Sequence, residues 1–327
     1  MCTAISLLTR DHYFGRNLDL EYGYQETVTI TPRAYPFRFR KASAMEQHFA
    51  LIGMATVVDG YPLYYEATNE RGLSMAGLNF PESAVYHPSQ DGMDNISPFE
   101  FIPWILGQCA SVAEAKPLLN RLNLVNIPFS TALPLSPLHW IISDRNSSIV
   151  VESMADGLRI YENPLGVMTN EPPFDYHLYH VRNYLNLSPM QATDRSGIDL
   201  QPYSNGMGAI GLPGDFSSAS RFVRAAFVKC NSVCGDGEED SVGQFFHILS
   251  SVAMPRGSVR MGNQKYEITR YSCCCNTDKG IYYYTTYENP QICAVDMTQE
   301  DLDGTHTICY PLMERPQIYI QNGPKGR

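Results

Sequence analysis

Cys2 lies directly behind Met1, in Met1-Cys2-Thr3-Ala4. Cysteine is small enough for an aminopeptidase to remove the methionine ahead of it. Removal leaves one residue carrying both a thiol and a free α-amine. Their ordinary pKa values, about 8.5 and about 7.7–8.0, lie near working pH. The amine can then take the thiol proton, and no histidine is needed to activate the nucleophile. Arg16 and Asp19, in Arg16-Asn17-Leu18-Asp19, follow one hairpin later. A strand returning antiparallel beside the terminus brings a guanidinium to the sulfur, favouring thiolate, and a carboxylate to the amine, orienting it. The plain alternative is a solvated surface pair, which is common and worth little.

Three further side chains could serve that nucleophile. Asn79 follows small and apolar residues in Ala76-Gly77-Leu78-Asn79-Phe80-Pro81, and Asn170 ends Met168-Thr169-Asn170 before a turn. Two side-chain amides facing one pocket could donate to a developing oxyanion; each could equally be an ordinary Asn at a strand end. Arg221, in Ala219-Ser220-Arg221-Phe222, falls on the first turn of an expected helix, where a cation opposes the local dipole. That cost points to a task elsewhere, with an exposed Arg as the alternative. The eight histidines form no metal-binding pattern, and His139 reads as a satisfied strand residue. Cys230 with Cys234, and Cys273-Cys274-Cys275, are not zinc knuckles, and adjacent strand residues point to opposite faces. Neither a metal nor a cofactor is expected.

The elements that must position these residues are mostly strands. Residues 3–9 and 12–18 read as a hairpin about Arg10-Asp11-His12. Residues 138–143, 148–153, 158–161 and 167–169 read as further strands, and 266–275 with 281–287 as a hairpin that 292–297 can extend. Helices are expected over 98–106 behind Ser97, after a capping box at Ser111-Val112-Ala113-Glu114 with Pro117 kinking it, over 219–229, and after a second box at Ser241-Val242-Gly243-Gln244. Hairpins separated by helix pairs imply antiparallel sheets with helices on their outer faces. No repeat or long linker divides the chain, so one domain over 2–327 is expected.

Composition narrows the function classes. The 327 residues are 44% hydrophobic and 18% charged, which is globular. A formal net charge of -10 without a Lys/Arg run excludes a general nucleic-acid binder. The apolar stretches are far shorter than a membrane span, and no basic, apolar and cleavage-site segment precedes Cys2. With nine cysteines, an odd number, free thiols in a cytoplasmic protein are expected.

Taken together, Cys2-Thr3, Gly15-Arg16-Asn17-Leu18-Asp19, Ala76 to Pro81, Leu138-His139-Trp140, Thr169-Asn170, Gly211-Leu212-Pro213-Gly214-Asp215-Phe216 and Ala219 to Phe222 resemble the choloylglycine hydrolases, and within them the bile salt hydrolases of gut bacteria. Gly280-Ile281-Tyr282-Tyr283-Tyr284 and Thr286-Tyr287-Glu288-Asn289 are also similar, so the resemblance spans nearly the whole chain in order. It implies an α+β N-terminal nucleophile hydrolase fold, a four-layer αββα sandwich with two antiparallel sheets. It implies hydrolysis of the amide of glycine- or taurine-conjugated bile acids, and a homotetramer. Carried over by position, Cys2 is nucleophile and base. Arg16 and Asp19 hold and tune it. Asn79 and Asn170 form the oxyanion hole and position the N-terminus, and Arg221 adds positive potential. Leu18, Leu20, Tyr22, Tyr24, Val58, Phe129 and Leu133 map onto the family's apolar steroid pocket, with plain core as the alternative for each. Val58 and Phe129 depart in size from residues often found there. Penicillin V acylases share the fold and commonly carry Tyr where this chain has Asn79, which favours bile salts. A penicillin V or other N-acyl amidase, and transfer of the bile acyl group to an amine, remain alternatives with the same residues. A silent sterol-binding protein is a third, disfavoured by the intact residue set.

Overall fold

The computed structural model describes residues 1–262 and 264–322. In chain order the elements are β1 (Cys2–Leu8), β2 (His12–Leu20), β3 (Thr27–Thr31), β4 (Leu51–Val58), β5 (Tyr61–Asn69), β6 (Ser74–Asn79), β7 (Asp94–Ile96), α1 (Phe101–Leu106), α2 (Val112–Leu119) and β8 (Leu122–Leu124). They continue with β9 (Leu138–Ser143), β10 (Ser148–Met154), β11 (Gly157–Glu162), β12 (Val167–Met168), α3 (Phe174–His180), α4 (Ser218–Cys230) and α5 (Glu238–Ser250). The last strands are β13 (Val259–Gly262), β14 (Lys265–Asn276), β15 (Ile281–Thr286), β16 (Cys293–Asp296) and β17 (Ile308–Pro311). One antiparallel sheet runs β12-β1-β2-β14-β15-β16, with β13 on β14; the other runs β11-β10-β9-β6-β5-β4-β3-β17.

Alternation along the strands makes the layers, because successive side chains leave opposite faces. In the second sheet Ile52, Met54, Ala76, Leu78, Ile141 and Val150 join the cluster shared with the first sheet. Their neighbours Leu51, Met75, Trp140, Ile142, Ile149 and Val151 pack instead with Phe101, Ile105, Val112 and Leu119 of α1 and α2. The first sheet is covered by α4 and α5 through Phe222, Ala225, Phe245 and Leu249. The result is the αββα order expected from the sequence. Each large apolar side chain so buried contributes about 1.5–3 kcal/mol.

α4 forms because Ser217 Oγ accepts the Ser220 backbone N–H at its start, and Phe222, Val223, Ala225 and Ala226 give it one buried face. Gly15 lets β14 close on β2: a Cβ there would lie 1.9 Å from the Cys273 carbonyl oxygen. Three details depart from the sequence reading. α5 starts at Glu238, so Ser241 is not a cap; it is buried inside the helix, with its hydroxyl on Thr9 Oγ1. Three acidic residues in the first turn, Glu238, Glu239 and Asp240, favour that earlier start through the helix dipole. α2 continues through Pro117 to Leu119, and α3, β3, β4, β5 and β17 were not anticipated.

Candidate active site

β1 is an inner strand, so Cys2 is buried between β12 and β2. Register divides its surroundings. Cys2 pairs with Leu18 and Ala4 with Arg16, which puts the Cys2 side chain and Arg16 on one face as diagonal neighbours. That face looks towards the second sheet: Arg16 Nη1 donates to the Gly77 carbonyl at 2.6 Å and lies 3.7 Å from Glu66 Oε2. Thr3 pairs with Asn17 on the opposite face, under the helices. Asp19 follows Asn17 by two and shares that face, where Thr269 Oγ1 donates to its Oδ1 at 2.6 Å.

Arg221 reaches this second face from α4 and is fully buried. Its Nη1 donates to the Cys2 carbonyl and, at 2.7 Å, to Thr3 Oγ1; its Nη2 donates to Asn170 Oδ1 at 2.7 Å. The same Asn170 oxygen accepts the Cys2 backbone N–H at 2.8 Å. Asn170 Nδ2 donates to the Asn79 carbonyl at 2.8 Å. Both ends of the Asn170 amide are therefore engaged. Asn170 Oδ1 thus holds the Cys2 nitrogen and Arg221, and its Nδ2 ties the Asn79 backbone to the same point. The half-buried Asn79 side chain has no hydrogen bond to another described residue and keeps its donors free.

The Asn170 segment is itself held from several sides. Ser218 Oγ accepts the Asn170 N–H at 2.9 Å, and His177 Nε2 donates to the Asn170 carbonyl at 2.8 Å. His139 Nε2 meets the Thr169 carbonyl at 3.0 Å, with Phe80 stacked on the ring. Glu171 accepts the backbone N–H groups of Glu82 and Ser83, tying this segment again to the one that follows Asn79. His139 is a satisfied strand residue, with both ring nitrogens engaged by Glu152 and the Thr169 carbonyl. His177, Ser218, Thr3 and Glu66 were missed. An isolated Glu in the aromatic run Tyr61–Asn69 was the one usable signal for Glu66.

Burial shapes the charges. It pushes the Asp19 carboxyl up, while Arg221 and the Thr269 hydroxyl pull it back. Burial pulls Arg221 down, opposed by Asp19 and Cys2. For Arg16, burial again acts downward, but Cys2, Tyr271 and Glu66 outweigh it and the guanidinium ends above its ordinary value. Burial pulls His177 down to about 4, which makes it a neutral donor to the Asn170 carbonyl. With Met1 in place, its ammonium donates to the Asp19 carbonyl at 2.8 Å and contacts the Glu267 carboxylate.

The apolar residues fall into two groups. Leu18 is buried opposite Cys2, Leu20 is half-buried, and Tyr22 and Tyr24 stand exposed with their rings 5.0 Å apart. Phe129 and Leu133 are half-buried in the segment before β9, where Phe129 meets Phe99 at 5.2 Å and Tyr61 at 5.8 Å. Val58 pairs with Tyr61 across the β4–β5 hairpin and so joins the second group. Among the described residues no group of three or more His, Cys, Asp or Glu could hold a metal, and no helix is long and apolar enough to cross a membrane.

Residues 2–310 match the linear amide C–N hydrolases of the choloylglycine hydrolase family. The chain belongs to that family. Choloylglycine hydrolases are C–N hydrolases of linear amides, and this chain is one of them. A bile salt hydrolase/transferase of Lactiplantibacillus plantarum is 53% identical over 324 residues, 98% of this chain and 100% of that protein. A bile salt hydrolase/transferase of Clostridium perfringens is 41% identical, covering 95% of this chain and 96% of its own. A crystal structure of a conjugated bile acid hydrolase from Clostridium perfringens superposes with a TM-score of 0.91 at 39% identity, over 98% of this chain and 100% of that one. A penicillin V acylase from Agrobacterium tumefaciens, 21% identical, has a TM-score of 0.73 over 94% of this chain and 90% of its own and shares the fold. The choloylglycine hydrolase chain thus has the N-terminal nucleophile hydrolase fold.

Proposed function

We propose that this protein hydrolyses glycine- and taurine-conjugated bile acids through an acyl-Cys2 intermediate. The observation that carries this reading is the Cys2 nitrogen held on Asn170 Oδ1 while the Cys2 side chain is buried on the Arg16 face. The substrate class rests on the bile salt hydrolase relatives.

Excision of Met1 turns the Cys2 N–H into an α-amine in the same place. Asp19 Oδ2, buried without a partner among the described residues, is then available to it. The amine takes the thiol proton, and the thiolate, with Arg16 on its face, attacks the amide carbon. Asn79 donates to the oxyanion. The ammonium returns its proton to the departing nitrogen, and glycine or taurine leaves. A water, deprotonated by the same amine, then opens the thioester and frees the bile acid. Leu18, Leu20, Tyr22, Tyr24, Val58, Phe129 and Leu133 take the steroid. The names of the relatives also favour a second outcome, in which an amine replaces water and the acyl group is transferred.

The working unit is one domain over residues 2–327, assembled as a homotetramer in the cytoplasm. The exposed Leu185, Met190, Ile198, Leu200, Tyr203 and Ile210 support assembly, and the nine free cysteines support a reducing compartment. Mass spectrometry of products from glycocholate, taurocholate and penicillin V tests the substrate. Free cholate with glycine or taurine is expected, and release from penicillin V alone would overturn the reading. A non-cleavable N-terminal extension is expected to leave a folded, inactive protein. Full turnover with the extension verified by intact mass would defeat the amine's role.

A further inference from the structure

Glu66 lies on β5 opposite Ala76 and Met54, which turns its side chain into the space between the sheets. It is buried in an otherwise apolar layer, and four donors converge on it. Tyr271 hydroxyl donates to Oε2 at 2.8 Å and Tyr282 hydroxyl to Oε1 at 2.6 Å. Cys273 Sγ lies 3.5 Å from Oε1, and Arg16 Nη1 is 3.7 Å from Oε2. Burial pushes the Glu66 carboxyl up, while Arg16 and the Tyr282 and Tyr271 hydroxyls pull it back; of the four neighbours the Arg16 guanidinium can only donate, and it is the one that favours the carboxylate. Arg16 in turn has one guanidinium nitrogen, Nη2, buried without a partner among the described residues. Its Nη1 is spent on the Gly77 carbonyl, two residues before Asn79.

We propose that Glu66 is a positioning residue for Arg16. Its carboxylate, fixed by Tyr271 and Tyr282, holds the guanidinium between the strand ending in Asn79 and the face of β1 that carries the Cys2 thiol. The unpartnered nitrogen is thereby kept for the sulfur or the bound amide. Glu66 does not touch the reacting atoms; it acts through Arg16. The negative charge also offsets part of the Arg16 field at the thiol. Glu66 from β5, Arg16 from β2, Tyr271 and Cys273 from β14 and Tyr282 from β15 occupy the layer the thiol faces. Asp19, Glu267 and Arg221 lie across β1 and are untouched by a change at Glu66. This inference rests on Cys2 being the nucleophile.

The test uses Glu66→Gln, Glu66→Asp and Tyr282→Phe in the full chain, with Cys2→Ala beside them. Turnover of glycocholate is measured, together with alkylation of Cys2 by iodoacetamide against pH, read on the Cys2 peptide by mass spectrometry. In Glu66→Gln, kcat falls tenfold or more with KM within twofold, and the alkylation midpoint moves to lower pH because Arg16 is no longer offset. Glu66→Asp keeps the charge but is one methylene too short, so kcat falls and the midpoint stays. Tyr282→Phe loses a hydrogen bond and some thermal stability but leaves the midpoint in place, which a merely structural Glu66 could not distinguish from Glu66→Gln. A folded Glu66→Gln with wild-type kcat, or with an unmoved midpoint, overturns the proposal. Should Glu66→Gln not fold, wild-type kcat in Glu66→Asp overturns it instead. An active Cys2→Ala protein would sink the nucleophile reading itself, so the two failures are separable.

Discussion

Asn170→Ala is the most demanding perturbation of this site, because one side chain bridges three of its parts. It accepts from the Cys2 N–H at 2.8 Å and from Arg221 Nη2 at 2.7 Å, and donates to the Asn79 carbonyl at 2.8 Å. The two neutral bonds contribute about 1 kcal/mol each and the charged one about 2, so roughly 4 kcal/mol of stability goes with the amide. The two that touch the Cys2 nitrogen and the Asn79 backbone amount to about 2 kcal/mol, a fall of about 30-fold in kcat if that order is lost in the transition state. Release of Arg221 from Asn170 loosens the Cys2 carbonyl as well and extends the loss. Asn170→Asp keeps both accepted bonds but sets an oxygen against the Asn79 carbonyl. It should therefore keep more stability than Asn170→Ala while still losing turnover. The assay is release of glycine from glycocholate, with urea unfolding followed in parallel. Asn170→Ala that unfolds at a lower urea concentration yet keeps kcat within threefold of wild type would refute the link between this amide and the chemistry.

Cys2→Ala should abolish turnover with the fold intact, and Cys2→Ser should be severely impaired because an alcohol is a far weaker nucleophile than a thiol near neutral pH; product release and circular dichroism check both. Asn79→Tyr should lower glycocholate kcat by about 10²–10³, the usual effect of one lost oxyanion donor, and unchanged kinetics would remove Asn79 from the site. Burial holds both His12 and His177 near a pKa of about 4, below the ordinary 6.5. Between those values the unfolded chain binds protons that the native one refuses, so stability falls as pH drops from 6.5 towards 4, by about 3 kcal/mol per histidine. Thermal melts across that window should show the fall, and His12→Asn should flatten it.

The sequence was most legible where chemistry is local. Cys2, Arg16 and Asp19 lie within one hairpin, and the hairpin formed where it was expected, so their closeness could be read from spacing. The strands expected at 138–143 and 148–153, apolar and bounded by turn residues, formed over 138–143 and 148–154. Asn170 was legible as a candidate but the direction of its amide was not, because that depends on Arg221 and Asn79, both far away in the chain. Glu66 escaped notice for the same reason. Its four partners come from β2, β14 and β15, and only the pairing of β14 with β2 brings Tyr271 and Cys273 beside Arg16. The strands β4 and β5 do not alternate cleanly: β4 is buried over Leu51–Ala55, and β5 carries Pro62 and the buried Glu66. The start of α5 was misplaced because Ser241 mimics a cap while it serves inside the helix.

The place of β1 in its sheet sets an order of events during synthesis. Its first partner, β2, follows at once, but its other edge is closed only by β12 at Val167–Met168, and its outer face only by α4 at Ser218–Cys230. At ribosomal speeds of about 5–20 residues per second, the nucleophile's hairpin emerges about seven to thirty seconds before its second neighbour exists. Throughout that interval the chain's beginning is free of the Asn170 and Arg221 clamp, and a processing enzyme meets it as open peptide. A protein refolded whole from denaturant has no such interval, since every partner is present from the start. With Met1 removed as proposed, the linear order of the gene acts as a timer, giving that cut its opportunity before assembly encloses the terminus.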